Sequence, residues 1–184
     1  LWIGFSPVDE PIVGQPFKEK LTARSWIAVD LESGCLLGGE NFNVGFPPAS
    51  LTKIVTALVA LRYYSPDRIL LVDNEYPVGR TMGLVSGEKI KVIDLLGGLL
   101  IHSANDAAYV LAQNYPGGPN AFIEQMNDFA KEKGLVRTHF VNFDGEEDKS
   151  HYSTAYDLAQ TLKIDLKRVT KTLVLKTVSY THLR

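Results

Sequence analysis

The order of apolar patterns along the chain predicts an α+β fold in which a helical lobe packs beside a sheet. Two apolar runs flank a turn triplet early in the chain. A long apolar run from Leu51 to Tyr64 then covers nearly a whole helical circumference, and helical spacing dominates most of the chain beyond it.

Residues 1–22 hold Pro7, Pro11 and Pro16 without any period and read as an extended lead-in. From Ser25 to Asn41, Ser-Trp-Ile-Ala-Val-Asp-Leu and Cys-Leu-Leu-Gly-Gly-Glu surround Glu-Ser-Gly, the signature of a β-hairpin with Ile27, Val29 and Leu31 on one face. Cys35 reads as a small core residue of this hairpin. Pro47-Pro48 keeps a helix from starting early, because proline lacks a donor and forces the residue before it to be extended. Leu51, Ile54, Val55, Ala57, Leu58, Val59, Ala60 and Leu61 follow and predict a buried helix.

Ser65 to Lys89 is a charged, Gly-containing stretch. Val92 to Ile101 is a second apolar segment, broken by His102-Ser103-Ala104-Asn105-Asp106, and a helix resumes from Ala107 to Gln113. Phe122, Ile123, Met126, Phe129 and Ala130 mark an amphipathic surface helix over Asn120–Lys133, stopped at Gly134. Ser153 is the expected N-cap of a further helix reaching Leu162.

The 184 residues are 45% apolar and 22% charged, which fits an ordinary globular protein. A net charge of −2 gives no clustered basic face for nucleic acid, so that class of partner is set aside. The single cysteine, Cys35, forms no internal disulfide, and no Cys/His cluster has zinc-ligand spacing. No uninterrupted apolar run approaches the roughly 18 residues that span a bilayer. The first residue is Leu rather than Met, and Leu1–Glu10 shows no charged leader followed by an apolar stretch.

Ser50-Leu51-Thr52-Lys53 places a hydroxyl and an amine three residues apart on a helix, with Cβ atoms about 5–6 Å from each other. A serine needs a base to become a nucleophile, and lysine serves only if its pKa falls from about 10.4 towards 7. That fall corresponds to about 4 kcal/mol, which desolvation and the positive field of the helix N-terminus can supply. On spacing alone, an N-cap serine beside a solvated lysine is the stronger reading. Ser86-Gly87-Glu88-Lys89 shows why, since it matches the same pattern inside a polar loop where Lys89 stays solvated.

Ser103-Ala104-Asn105 shifts the balance, because it interrupts an apolar helical pattern where polar groups cost desolvation unless they are used. A second serine and an amide facing a cleft can relay a proton and hold a substrate amide. A helix-to-helix turn capped by Asn105 or Asp106 fits the triplet equally well. His102 reads as a packed, hydrogen-bonded histidine, His151 as a residue that orders a loop, and Asp144, Glu146, Glu147 and Asp148 as a solvated acidic loop.

Ser50-x-x-Lys53 followed by Ser103-x-Asn105 is similar to two of the three motifs of penicillin-binding proteins and serine β-lactamases. Pro48-Ala49-Ser50-Leu51-Thr52-Lys53, Gly87-Glu88 before Asp94-Leu95-Leu96, Ser103-Ala104-Asn105-Asp106-Ala107-Ala108, Thr138-His139-Phe140 and His151-Tyr152-Ser153-Thr154-Ala155 with Asp157-Leu158-Ala159 resemble one branch in order. That branch is the low-molecular-mass D-alanyl-D-alanine carboxypeptidases, and the resemblance runs from about Ala23 to about Lys176. It implies a penicillin-binding-protein-like fold with an antiparallel sheet packed against helices, incomplete on its C-terminal side.

The resemblance also implies roles. Ser50 is the nucleophile, Lys53 its general base, Ser103 the proton relay and Asn105 the substrate-orienting amide, with the Ser50 N–H as half of an oxyanion hole. The implied substrate is a peptidoglycan stem peptide losing its terminal D-alanine through an acyl-enzyme, with β-lactams as inhibitors. No cofactor is required for acyl transfer through serine. The implied location is the periplasm or the cell-wall side of the membrane, and any membrane association would come from segments outside these residues.

The family's third motif, Lys-Thr-Gly, does not occur; Lys171-Thr172-Leu173 and Lys176-Thr177-Val178 come closest and lack the glycine. By the family's order it is expected roughly thirty residues further on. Val178 to Arg184 resembles the conceptual translation of a transposase-based sequencing adapter. The expected organisation is therefore a lead-in over 1–22, an incomplete carboxypeptidase domain over 23–177 and an adapter-derived tail over 178–184. Such a chain is expected to be unstable or inactive, with the hairpin's apolar face uncovered. Two alternatives stand beside the carboxypeptidase. A class A-like serine β-lactamase needs a carboxylate to activate the deacylating water, for which Glu146 and Glu147 are the nearby candidates. A non-catalytic wall-binding relative would keep the fold without the chemistry.

Overall fold

The computed structural model describes residues 21–30, 33–76 and 78–162. Residues 1–20 of the lead-in, Leu31, both Lys-Thr pairs and the tail over 178–184 lie outside the described residues.

Strand β1 (Trp26–Val29) pairs antiparallel with β2 (Leu36–Glu40), so the expected hairpin is present, with an irregularity between Ala28 and Val29. Its turn is tied by Asp30, whose backbone carbonyl accepts from the Gly34 N–H and whose backbone N–H donates to the Cys35 carbonyl. Ile27, Val29 and Cys35 are only half-buried, so Cys35 is not the core residue expected of it.

Pro47 and Pro48 lead into a 3₁₀ turn at Ala49–Leu51, and α1 (Thr52–Tyr63) follows directly. The helix is buried on nearly every side, from Thr52 and Lys53 to Leu61. It packs against α2 (Val92–Ile101), α3 (Asn105–Gln113) and α4 (Gly118–Glu132). Val55, Val59, Leu95, Leu99, Leu111, Phe122 and Phe129 form the centre of this core. The α4 helix buries Phe122, Met126, Phe129 and Ala130, as its spacing predicts, and Gly134 follows it at φ +70°.

One sheet was not expected. The stretch after α1 holds β3 (Ile69–Leu71), antiparallel to β4 (Lys89–Lys91). Three-residue strands, one lying between Arg68 and Asp73 and the other beginning and ending in Lys89 and Lys91, give too little alternation to stand out from a charged loop. Lys89 is exposed there, as expected of the second Ser-x-x-Lys match.

Helix α5, seen over 155–162, closes the described chain. Its cap is Thr154, whose Oγ1 accepts the Asp157 N–H at 3.0 Å, and not Ser153. Ser153 instead bridges antiparallel to Phe46 and ties this segment to the residue before Pro47. Asp157 accepts from the Arg137 N–H at 2.9 Å and from the Thr138 hydroxyl at 2.7 Å, so the Thr138 and Asp157 blocks of sequence meet in space.

Candidate active site

Ser50 is exposed on its 3₁₀ turn while Lys53, one turn on, is 2% exposed. The hydroxyl is thus open to a ligand and the amine is withdrawn from water. Lys53 Nζ lies 3.1 Å from Ser50 Oγ and donates to the Asp144 backbone carbonyl at 2.6 Å. Burial holds the amine below its ordinary value, opposed by the negative charges of Asp144 and Glu146. A neutral amine held by one N–H on a carbonyl keeps its lone pair free to accept the serine proton.

The α2–α3 break brings Ser103 and Asn105 to the same cleft, about 390 Å³ in volume, lined by Ala49, Ser50, Arg80, Ser103, Asn105, Asp144, Gly145 and Glu146. All three polar residues expected around Ser50 therefore converge on it, Lys53 from below and Ser103 and Asn105 from the rim. Ser103 sits at φ +59° and Ala49 at φ +48°. Two non-glycine residues in the left-handed region, both lining the cleft, are the kind of local strain that a functional site retains, each costing about 1–2 kcal/mol.

Asn105 opens α3 without capping it through its side chain. Its backbone N–H donates to the Arg80 carbonyl at 2.6 Å, so the loop before β4 is laid across the cleft rim. Asp106 does not cap α3 from outside either. Its buried carboxylate accepts the backbone N–H groups of Met82, Gly83 and Leu84 at 3.0–3.1 Å and fastens that same loop.

Two expectations about residues near the site are corrected. His102 is exposed and lines a larger hollow of about 830 Å³ between β4 and α2, away from Ser50, whose walls include Ile69, Ile90 and Ile101. We place the candidate site in the smaller cleft because the hydroxyl, amine and amide meet there. Asp144 is not in a solvated loop: it is 2% exposed, takes the Tyr76 hydroxyl on Oδ2 at 3.0 Å and presents its carbonyl to Lys53. Glu146 also lines the cleft but stays exposed, as do Glu147 and Asp148, so the rest of the acidic loop is solvated as expected. The only local hint was the aromatic Phe143 and the glycine at 145 on either side of Asp144.

His151 does order a loop, and its place is specific. It is 1% exposed, accepts the Val141 N–H on Nδ1 at 3.1 Å and meets Thr52 Oγ1 at 2.8 Å through Nε2. Among the described residues no three metal-ligating side chains cluster, and no helix is long and apolar enough to cross a membrane.

A profile of the D-alanyl-D-alanine carboxypeptidase family matches residues 11–183. The chain belongs to this family. It is 36% identical over 169 residues to the D-alanyl-D-alanine carboxypeptidase DacD of Escherichia coli, covering 85% of this chain and 43% of that one. It is 35% identical over 152 residues to DacF of Bacillus subtilis, covering 79% and 39%. Among solved structures, DacD from Francisella tularensis superposes with a TM-score of 0.80 at 31% identity, over 90% of this chain and 42% of that one. Penicillin-binding protein 6B from Escherichia coli gives 0.78 at 32% identity, over 85% and 53%. The α+β, penicillin-binding-protein-like fold is therefore that of the family, and the chain spans less than half the length of the first two carboxypeptidases.

Proposed function

We propose that the protein is a serine D-alanyl-D-alanine carboxypeptidase that removes the terminal D-alanine from peptidoglycan stem peptides and is acylated by penicillins. The observation that carries this is the buried Lys53 amine 3.1 Å from the exposed Ser50 hydroxyl, in a cleft shared with Ser103 and Asn105. Lys53 takes the proton of Ser50 as its Oγ attacks the penultimate carbonyl. The Ser50 N–H contributes half of the oxyanion hole. Ser103 passes a proton to the departing D-alanine, and Asn105 holds the acyl chain's amide. Water then frees the serine.

Such an enzyme works on the periplasmic or cell-wall side of the membrane, where its substrate is. The same reading makes Val178–Arg184 a foreign tail and the 184 residues alone a poor catalyst, since no Lys-Thr-Gly occurs among them. The experiment has two steps. Resequencing across the Thr177 codon should reveal a frame that continues to Lys-Thr-Gly. Incubating that read-through product with penicillin should add one β-lactam mass at Ser50 and none in Ser50→Ala, with D-alanine released from a stem-peptide mimic. A long-lived adduct supports the carboxypeptidase, rapid nitrocefin turnover would make the protein a β-lactamase, and peptidoglycan affinity retained by Ser50→Ala without any lost activity would make it a binder. A frame that truly ends at Arg184 would overturn the enzyme reading.

A further inference from the structure

We infer that Tyr76 is a positioning residue for Lys53: its hydroxyl holds the Asp144 carboxylate off the lysine amine, which leaves that amine without an ion pair and available to Ser50. This rests on Ser50 and Lys53 acting as nucleophile and base. The geometry divides Asp144 into two functions. Its backbone carbonyl accepts from Lys53 Nζ at 2.6 Å, whereas its carboxylate is taken by the Tyr76 hydroxyl on Oδ2 at 3.0 Å and by the Glu146 N–H on Oδ1 at 3.2 Å. Among the described residues, no carboxylate lies within the 4.0 Å ion-pair distance of Lys53, although Asp144 is bonded to it.

Tyr76 is itself fixed. Its ring stacks on Tyr109 at 4.7 Å and 13°, and both rings lie 6.0 Å from Phe143, the residue before Asp144. The Thr56 hydroxyl pins the Phe143 carbonyl at 2.6 Å, so the segment entering Asp144 is anchored on α1 as well. Burial, and after it the neighbouring Asp144, push the Tyr76 phenol up, so it stays a donor. The charged groups around Lys53 are Asp144 and Glu146 from the loop after Phe143 and Arg80 across the cleft. His151, bonded to Thr52, is held neutral by burial.

Without the Tyr76 hydroxyl, rotation of the Asp144 side chain brings a carboxylate onto the amine. A carboxylate at ion-pair distance favours the ammonium, and an ammonium has no lone pair to accept the serine proton.

The test is an NMR titration of the Lys53 13Cε signal in the full chain, which needs no turnover. Tyr76→Phe keeps the ring and its stacking. It should raise the Lys53 titration midpoint, and Tyr76→Phe/Asp144→Asn should bring the midpoint back to the wild-type value or below. In the read-through product, Tyr76→Phe should slow β-lactam acylation at neutral pH by about tenfold, with the double variant restored.

An unchanged midpoint in Tyr76→Phe, or no reversal in the double variant, overturns the proposal. Should Tyr76→Phe fail to fold, Asp144→Asn alone decides: a small fall in the midpoint supports a carboxylate held away, and a large fall shows that it already pairs with Lys53. If Lys53 titrates as expected while Ser50 is never acylated, the proposed function fails and the positioning of Lys53 by Tyr76 does not.

Discussion

His151 and Thr52 are 99 residues apart in sequence, and their side chains share a 2.8 Å hydrogen bond immediately beside Lys53 on α1. Because His151 Nδ1 accepts the Val141 N–H, the ring proton resides on Nε2 and is donated to Thr52 Oγ1. One neutral imidazole thus couples the start of α1 to the loop that carries Asp144.

Burial holds His151 below its ordinary 6.5, so on the acid side the unfolded chain binds a proton that the folded chain refuses. The stability this group permits is present above about pH 6.5 and is lost as pH falls towards its folded value. Urea unfolding at pH 7 and pH 5 should show the loss, and His151→Gln should reduce the difference between the two. His151→Ala, which empties a buried site and strands the Val141 N–H, is expected to cost about 3 kcal/mol at pH 7.

Lys53→Arg tests the base. A guanidinium stays protonated and cannot accept the Ser50 proton, so acylation of the read-through product by a fluorescent penicillin should fall by about 10²–10⁴-fold. In the wild type the acylation rate should climb with pH through the Lys53 titration, because only the neutral amine is competent. A flat profile on the acid side would exclude Lys53 as the base.

Much of this was legible from residue order. An apolar pattern around the whole of α1 can only be satisfied by burial, and a lysine at its second position is then buried with it. The polar triplet after α2 likewise announced a bend between apolar segments. Asp144 was not legible, because local charge density does not say which residue of an acidic loop turns inward. That is decided by Lys53, 91 residues away, and by the aromatic contacts of Tyr76 and Phe143. His102 erred the other way, since a histidine at the end of an apolar helix faces solvent when the helix stops at it.

Asp106 should matter through the loop it fastens rather than through a substrate. Its two oxygens hold three consecutive N–H groups, Met82 to Leu84, and Asp106→Ala leaves them without that partner. A loss of about 2–3 kcal/mol is expected. Hydrogen exchange at residues 82–84 should accelerate more than at core positions of α1. Equal protection of those amides in both proteins would show that the loop is held by something else.

Gly145 lies against the turn that carries Ser50. Its φ is +90°, and a β-carbon there would overlap the Ala49 carbonyl and approach the Ser50 nitrogen to 3.0 Å. Neither contact is with a flexible side chain, so Gly145→Ala must displace backbone, either its own loop or the turn that presents Ser50. We expect a cost of about 2 kcal/mol, roughly 6 °C in Tm, together with at least about tenfold slower acylation of Ser50. Gly134→Ala is the control. It has a similar φ of +70° but open space around its β-carbon, so it carries the conformational strain without the overlap. If Gly145→Ala acylates as fast as Gly134→Ala, the close approach of loop and turn is not what places the serine.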